Sequence, residues 1–282
     1  MNAMLTERQQ ELLNRLAAVL PQGRLAVALS GGVDSSVLVA AAARILGPDR
    51  VLAITVEAPM VPASDHADAR KAASQAGVRQ LFIRLPDDLL ADPAFRENPP
   101  DRCYFCKKII FQAIRQTSAR EGFNLLADGT NADDLQEYRP GLQAIRELGV
   151  LSPFAAAGLR KAEVRELAAA LCPDWTAKPA MACLATRIPH GTPVTLAAMR
   201  RIDRAEQLLR ENGFTQVRVR DHQGLARLEI DQDTLLHGLD GRTIQLMRTI
   251  LHDAGFRFAT LDLDGYKTGS LQETGKDDHD HA

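Results

Sequence analysis

One stretch, LAVALSGGVDSSVLVAAAA at 25–43, restricts the fold of this chain more than any other. Leu25 to Leu29 is an unbroken apolar run, and Val37 to Ala43 is apolar again. Between them lie Ser30, Gly31, Gly32, Val33, Asp34, Ser35 and Ser36. The order reads as a buried strand, a glycine-rich turn and a helix with a small apolar face. Such a turn gathers backbone N–H groups at a helix N-terminus, where they hold a phosphate chain. The glycines permit close backbone approach, and Ser35 and Ser36 add hydroxyls. Neither GxxxxGK[ST] nor GxGxxG is present, so no Walker lysine follows.

The string at 30–36 resembles the PP-loop of ATP pyrophosphatases, proteins that bind ATP, attach AMP to a substrate oxygen and release pyrophosphate. The surrounding pattern agrees with a nucleotide fold. Residues 6–20 form an amphipathic helix with Leu12, Leu13, Leu16 and Val19 as its stripe. A strand at 51–56, a helix capped by Ser64 and closed by Gly77, and a strand at 81–83 follow. After the proline-punctuated connection 86–100 come a helix ending at Gly122 and a strand at 125–127, which runs into ADGTNADD. This alternation predicts a parallel sheet with helices on both faces and its ligand crevice beyond the carboxyl ends of the strands. Residues 138–150 read as connective, and a helix spans 159–171.

The expected fold class is therefore α/β, a Rossmann-like parallel sheet of the PP-loop or adenine nucleotide alpha hydrolase type, joined to a smaller α+β domain. The expected division is 1–190 for the ATP-binding domain, 191–272 for the α+β domain and 273–282 for a disordered tail. In the second domain a helix at 196–211 precedes two alternating strands, then a helix at 242–254 and a strand at 256–263. Period-two alternation puts Arg218 and Arg220 on one face, and Arg227 and Glu229 on one face of the next strand, with Val217, Val219, Leu228 and Ile230 toward the core.

A formal net charge of -2 argues against a nucleic-acid partner. No apolar run reaches the length of a membrane span, and the N-terminus lacks a signal-like apolar core, so the expected location is the cytoplasm. Four cysteines in 282 residues are too few for a disulfide scaffold. Cys103 and Cys106 open a helix, where thiolates are favoured, and the CxxC admits a redox dithiol, metal ligation or two half-buried helical side chains. Cys172 reads as a buried helix-end residue. Cys183 lies in a proline-flanked loop. Two short cysteine pairs of a structural zinc site are missing, whereas three cysteines are able to hold an iron–sulfur cluster with one open iron.

Taken together, RCYFCK at 102–107, ADGTNADD at 127–134, RPG at 139–141, LSPF at 151–154, KPAMACLATRIPHG at 178–191, VRVRDHQGLARLEI at 217–230 and TLDLDGYKTGSL at 260–271 resemble the LarE family. These are the sulfur-inserting enzymes of nickel-pincer nucleotide biosynthesis, the route to the cofactor of lactate racemase. The resemblance implies ATP-dependent adenylation of pyridinium-3,5-biscarboxylic acid mononucleotide, then displacement of AMP by sulfur. It implies that Ser30, Gly31, Gly32, Asp34, Ser35 and Ser36 bind ATP phosphates, with Asp128 and Thr130 as further nucleotide contacts. Cys183 is implied as the sulfur-bearing catalytic residue. Arg218 and Arg220 are implied as contacts to the substrate phosphate, with Arg187 reaching the same ligand and Glu206 and Glu229 as acidic site residues. Mg²⁺ and a 4Fe-4S cluster on Cys103, Cys106 and Cys183 are the implied cofactors. The sacrificial alternative converts Cys183 alone to dehydroalanine. A small-molecule substrate, a homo-oligomer and transient contact with other nickel-pincer cofactor biosynthesis proteins complete the expectation. Phe105, Thr186 and His190 depart mildly from the family strings. A tRNA thiolase and a non-enzymatic nucleotide-binding module are the rival readings.

Overall fold

A computed structural model describes residues 5–85, 92–136, 139–176, 178 and 182–266. The chain divides into two compact units, 1–95 with 100–181 and 96–99 with 182–282. The division falls before Ala182, so residues 182–190 group with the second unit and not with the first, as do residues 96–99. Asn98 accounts for part of this grouping. Its Nδ2 donates to the carbonyls of Ile188 (3.1 Å) and Pro189 (2.8 Å), while its own carbonyl accepts from Gly191 N at 3.0 Å. The 273–282 tail lies outside the described residues.

In the first unit α1 (Glu7–Val19) begins with a reciprocal cap, in which Thr6 Oγ1 accepts from Gln9 N and Gln9 Oε1 accepts from Thr6 N. Its stripe buries Leu12, Leu13 and Leu16, but Val19 is left exposed. Then come β1 (Leu25–Ala28), α2 (Val33–Leu46), β2 (Val51–Glu57), α3 (Ala63–Gln75) and β3 (Arg79–Arg84). The residue before α3 is Pro62 and no side chain caps it, so Ser64 lies inside the helix. A short α4 (Pro93–Arg96) precedes α5 (Arg102–Arg120) and β4 (Leu125–Ala127).

The four strands are all parallel in the order β3-β2-β1-β4, with Leu25 opposite Val51 on one side and Leu125 on the other. The chain builds outward from β1 through β2 to β3, then returns to the other side of β1. That reversal lies between β1 and β4, where ligands of open α/β sheets bind. The region expected to be connective holds α6 (Pro140–Glu147), followed by α7 (Pro153–Ala156) and α8 (Lys161–Leu171). Pro140-Gly141 starts α6 because proline suits the first helical turn, whose N–H has no intrahelical partner. Leu25, Val27, Val37, Leu38 and Val39 pack with Leu12 and Leu16 of α1, Val164 and Leu167 of α8, and Trp175 in one core.

The second unit contains α9 (Leu196–Glu211), β5 (Val217–His222), β6 (Leu225–Ile230), α10 (Gln232–His237), α11 (Gly241–Asp253) and β7 (Phe258–Leu261). β5 and β6 pair antiparallel, and β6 pairs parallel with β7. Val217, Val219, Leu228 and Ile230 are buried as the alternation predicts. The register sets Arg218 opposite Glu229 and Arg220 opposite Arg227, which joins these four on one sheet face. Sequence alternation missed α10, a short helix capped by Asp231. Among the described residues no helix is long and apolar enough to cross a membrane.

Candidate active site

The loop after β1 is held in one shape by its surroundings. Gly31 has φ +81°, and a Cβ there would stand 2.3 Å from the carbonyl oxygen of Asp65 on α3. Ser30 Oγ and Ser35 Oγ lie 3.0 Å apart, and Ser35 Oγ also donates to Gly32 O at 3.3 Å. Gly32 precedes α2 with no side-chain cap, so the first N–H groups of that helix are left for a ligand. Two buried atoms here, Ser36 Oγ and Asp34 Oδ1, have no hydrogen-bond partner among the described residues. A buried polar atom without a partner is costly, and a phosphate or its accompanying cation offers the missing partners.

The loop after β4 packs directly against this one. A Cβ on Gly129 would stand 2.8 Å from Ser35 N and 2.9 Å from the carbonyl carbon of Asp34, so only glycine allows the approach. Asp128 and Thr130 are buried and turned toward each other, with Thr130 Oγ1 donating to Asp128 Oδ2 at 2.5 Å. Ser152 Oγ donates to the other carboxylate oxygen, Asp128 Oδ1, at 2.7 Å. Both residues thus shape the loop, with their polar atoms already engaged inside the chain.

Sequence reading missed two lysines that reach this loop from far along the chain. Lys161 Nζ donates to Asp34 Oδ2 at 2.5 Å, and Lys178 Nζ donates to Gly31 O at 2.8 Å and Asp68 Oδ2 at 2.5 Å. The missing Walker lysine was the available signal, since a phosphate loop without its own cation needs one from elsewhere. Cys172 is buried and donates to Ser36 O at 3.6 Å. Burial, with Asp174 adding to it, pushes its thiol up to about 12, which suits a structural residue.

At the start of α5, Cys103 and Cys106 are three positions apart and therefore on neighbouring helix positions. Neither is in a disulfide, and Cys106 is buried and Cys103 partly so. Arg102 Nη2 donates to Cys103 Sγ at 3.8 Å.

The second unit builds its polar centre around the 3₁₀ turn Leu184–Arg187 that follows Cys183. Arg187 is fully buried, which removes any surface role. Its Nη1 donates to Ala182 O (2.6 Å), Cys183 O (3.1 Å) and Thr186 Oγ1 (3.1 Å). Its Nε and Nη2 grip Glu206 Oε1 and Oε2 at 2.9 and 3.2 Å. Glu206 also accepts from Arg210 Nη2 at 2.6 Å and from Val219 N at 3.1 Å. Burial alone would raise the Glu206 carboxyl, but Arg187, Arg218 and Arg210 more than offset it and hold it below the usual range.

Arg220 repeats the device. Its Nε and Nη2 hold Glu229 at 2.8 and 2.9 Å, and its Nη1 donates to Thr186 O at 2.9 Å. Arg227 Nη2 shares Glu229 Oε1 at 3.2 Å. Arg218 is buried beside them, donating to Val217 O at 2.8 Å, with its guanidinium 5.2 Å from the Tyr266 ring. Burial first, and Arg187 next, push the Arg218 pKa down. The structure thus brings Cys183, Arg187, Glu206, Arg218, Arg220 and Glu229 into one cluster, with both glutamates engaged by guanidinium forks. Arg210 is the member that sequence reading missed; its position four residues after Glu206 on α9 was the signal. Among the described residues, no three His, Cys, Asp or Glu side chains gather as a metal-binding group.

The model of the asparagine synthase family matches residues 16–116, the part that carries both the phosphate loop and the CxxC. An uncharacterised protein of Synechocystis is 37% identical over 248 residues, covering 88% of this chain and 91% of the relative. The pyridinium-3,5-bisthiocarboxylic acid mononucleotide synthase of Lactiplantibacillus plantarum is 32% identical over 262 residues, 92% of either chain. An uncharacterised protein of Methanocaldococcus jannaschii is 28% identical over 258 residues, 92% of this chain and 96% of its own. With the phosphate loop at the sheet's reversal point and a similarity that runs through both units, this chain belongs to the LarE family of ATP-using PP-loop enzymes.

Proposed function

We propose that this enzyme inserts sulfur into pyridinium-3,5-biscarboxylic acid mononucleotide. A substrate carboxylate oxygen attacks the α-phosphorus of ATP, the bond to the β-phosphate breaks, and pyrophosphate leaves. A sulfur nucleophile then attacks the acyl carbon of the adenylate, and AMP departs with the bonding pair to leave a thiocarboxylate. Adenylation is needed because a carboxylate oxygen is a poor leaving group. The observation that carries this reading is the clamp on the Cys183 turn. Arg187 and Arg220 grip its carbonyls from the same cluster that holds Arg218.

In this reading the N–H groups of the phosphate loop, with Ser36 Oγ, hold the triphosphate. Mg²⁺, which Asp34 Oδ1 would hold, would supply positive charge to the triphosphate and the departing pyrophosphate. Asp128 and Thr130 keep the neighbouring loop in place. Arg218 faces the substrate phosphate, a task suited to a guanidinium group, while Arg220, whose nitrogens hold Glu229 and the Thr186 carbonyl, acts beside it by positioning. Arg187, Glu206 and Glu229 act by positioning, since their polar atoms are engaged by one another and by backbone. Cys103 and Cys106 suit two ligands of a cluster, being thiols outside any disulfide, three positions apart on one helix beside Arg102. A 4Fe-4S cluster on these two and Cys183 would supply the transferred sulfide. The enzyme works in the cytoplasm as a homo-oligomer and meets other proteins of nickel-pincer cofactor biosynthesis in transit.

The test is an anaerobic incubation with MgATP and the biscarboxylate mononucleotide. Pyrophosphate release together with a product carrying sulfur for oxygen is expected. The protein should be brown and should keep its mass. A colourless protein that loses the elements of hydrogen sulfide at Cys183 would replace the cluster by the sacrificial route. ATP consumption only with tRNA would overturn the substrate.

A further inference from the structure

Two side chains that the reaction above leaves unused converge on a single backbone atom of the phosphate loop. The carbonyl oxygen of Gly31 accepts from Trp175 Nε1 at 3.1 Å and from Lys178 Nζ at 2.8 Å. Trp175 is 1% exposed, so its indole has little freedom to leave. Lys178 is held from the other side, its ammonium paired with Asp68 at 2.5 Å and Asp65 at 3.5 Å. Gly31 is packed tightly on α3, where a Cβ would stand 2.3 Å from the Asp65 carbonyl oxygen and 3.0 Å from Ala69 N.

A trans peptide is planar, and its C=O and N–H point in opposite directions. Fixing the Gly31 carbonyl toward Trp175 and Lys178 therefore aims the Gly32 N–H the other way. That N–H is weakly used in the chain, reaching Ser30 Oγ at 3.4 Å, a long and correspondingly weak contact. We infer that Trp175 and Lys178 are positioning residues that lock the Gly31–Gly32 peptide plane so that the Gly32 N–H is presented to the pyrophosphate portion of ATP. This rests on the nucleotide half of the function proposed above and concerns neither the sulfur source nor the second substrate. It also accounts for a loop that works without a Walker lysine. The cation arrives from 147 residues away and orients a backbone donor.

The experiment follows the Gly32 amide by ¹⁵N NMR while the full-length protein is titrated with magnesium pyrophosphate and, separately, with MgATP. In the wild type the Gly32 resonance should move with both. In Trp175→Phe and Lys178→Met the shift should be reduced and the KM for ATP raised about tenfold, the loss of one charge-assisted hydrogen bond. Lys178→Arg should restore most of both. An effect confined to folding would lower the melting temperature without separating KM from kcat, and Lys178→Arg would not rescue it; that pattern would overturn the inference. A wild-type Gly32 amide that stays still while pyrophosphate binds overturns it too, without any variant having to fold. A wild type that binds neither ligand overturns the ATP reading itself along with the clamp.

Discussion

Arg187 holds Glu206 with two of its nitrogens, at 2.9 and 3.2 Å, and with the third holds the carbonyls of Ala182 and Cys183. The side chain is fully buried and so is its partner. Cys183 is thereby tied through one guanidinium to the middle of α9. Burying two charges is expensive, and only the full set of hydrogen bonds around them offsets that cost. The arrangement makes the position of Cys183 depend on a glutamate 23 residues further along the chain.

Replacing Glu206 by glutamine should therefore cost about 3–5 kcal/mol, because Arg187 and Arg210 keep their charges and lose their counterion. Arg187→Met removes the other half and should be comparable. Urea unfolding gives the figure. A loss below about 1 kcal/mol in both variants would mean that the pair is dispensable.

The same carboxylate predicts an acid limb of stability. The folded Glu206 pKa is depressed, so its contribution is complete above the unfolded glutamate value. It is lost as the pH falls through the lower folded value. Wild-type stability should decline on going below the usual glutamate range. Glu206→Gln should lack that part of the slope, as denaturant titrations between neutral and acid pH would reveal.

Ser36→Ala separates stability from binding. The hydroxyl is buried and has no partner among the described residues, so its removal should leave the melting temperature unchanged or slightly raised. ATP should nevertheless bind about tenfold more weakly, the value of one hydrogen bond to a charged group. Isothermal titration with MgATP measures it, and equal affinity in the two proteins would remove Ser36 from the phosphate site.

Gly31→Ala should fail for steric reasons alone. The new methyl would meet the Asp65 carbonyl at 2.3 Å in a backbone with positive φ, and a destabilisation above about 1 kcal/mol is expected. Calorimetry of the ligand-free protein is sufficient. A native melting temperature would show that the loop has a second available shape.

Cys172 should resist alkylation. Its thiol, pushed up to about 12 and nearly buried, remains protonated in the native protein. Iodoacetamide at mildly alkaline pH should label it only after unfolding, as peptide mass mapping would detect.

The strand, glycine loop and helix at 25–46 were legible from local pattern, as were the alternating strands at 217–230, because burial periodicity is written into neighbouring residues. Ser64 misled as a cap, since Ala63 had already started the helix behind Pro62. The stretch 138–150 misled as connective, since Pro140 suits a helix start. Sequence likeness implied Arg187, Glu206 and Glu229 as site residues. Their use as mutual counterions and backbone clamps emerged only from the coordinates.

The amino-acid order by itself determined the phosphate loop, the parallel alternation around it and the arginine-bearing hairpin. Each depends on residues within one or two turns or strands. Only the tertiary structure decided that Lys161 reaches Asp34 across 127 positions and that Arg220 holds the carbonyl of Thr186. Such pairings depend on the path of the whole chain, since a charged side chain is compatible with many partners until packing brings one within hydrogen-bond reach.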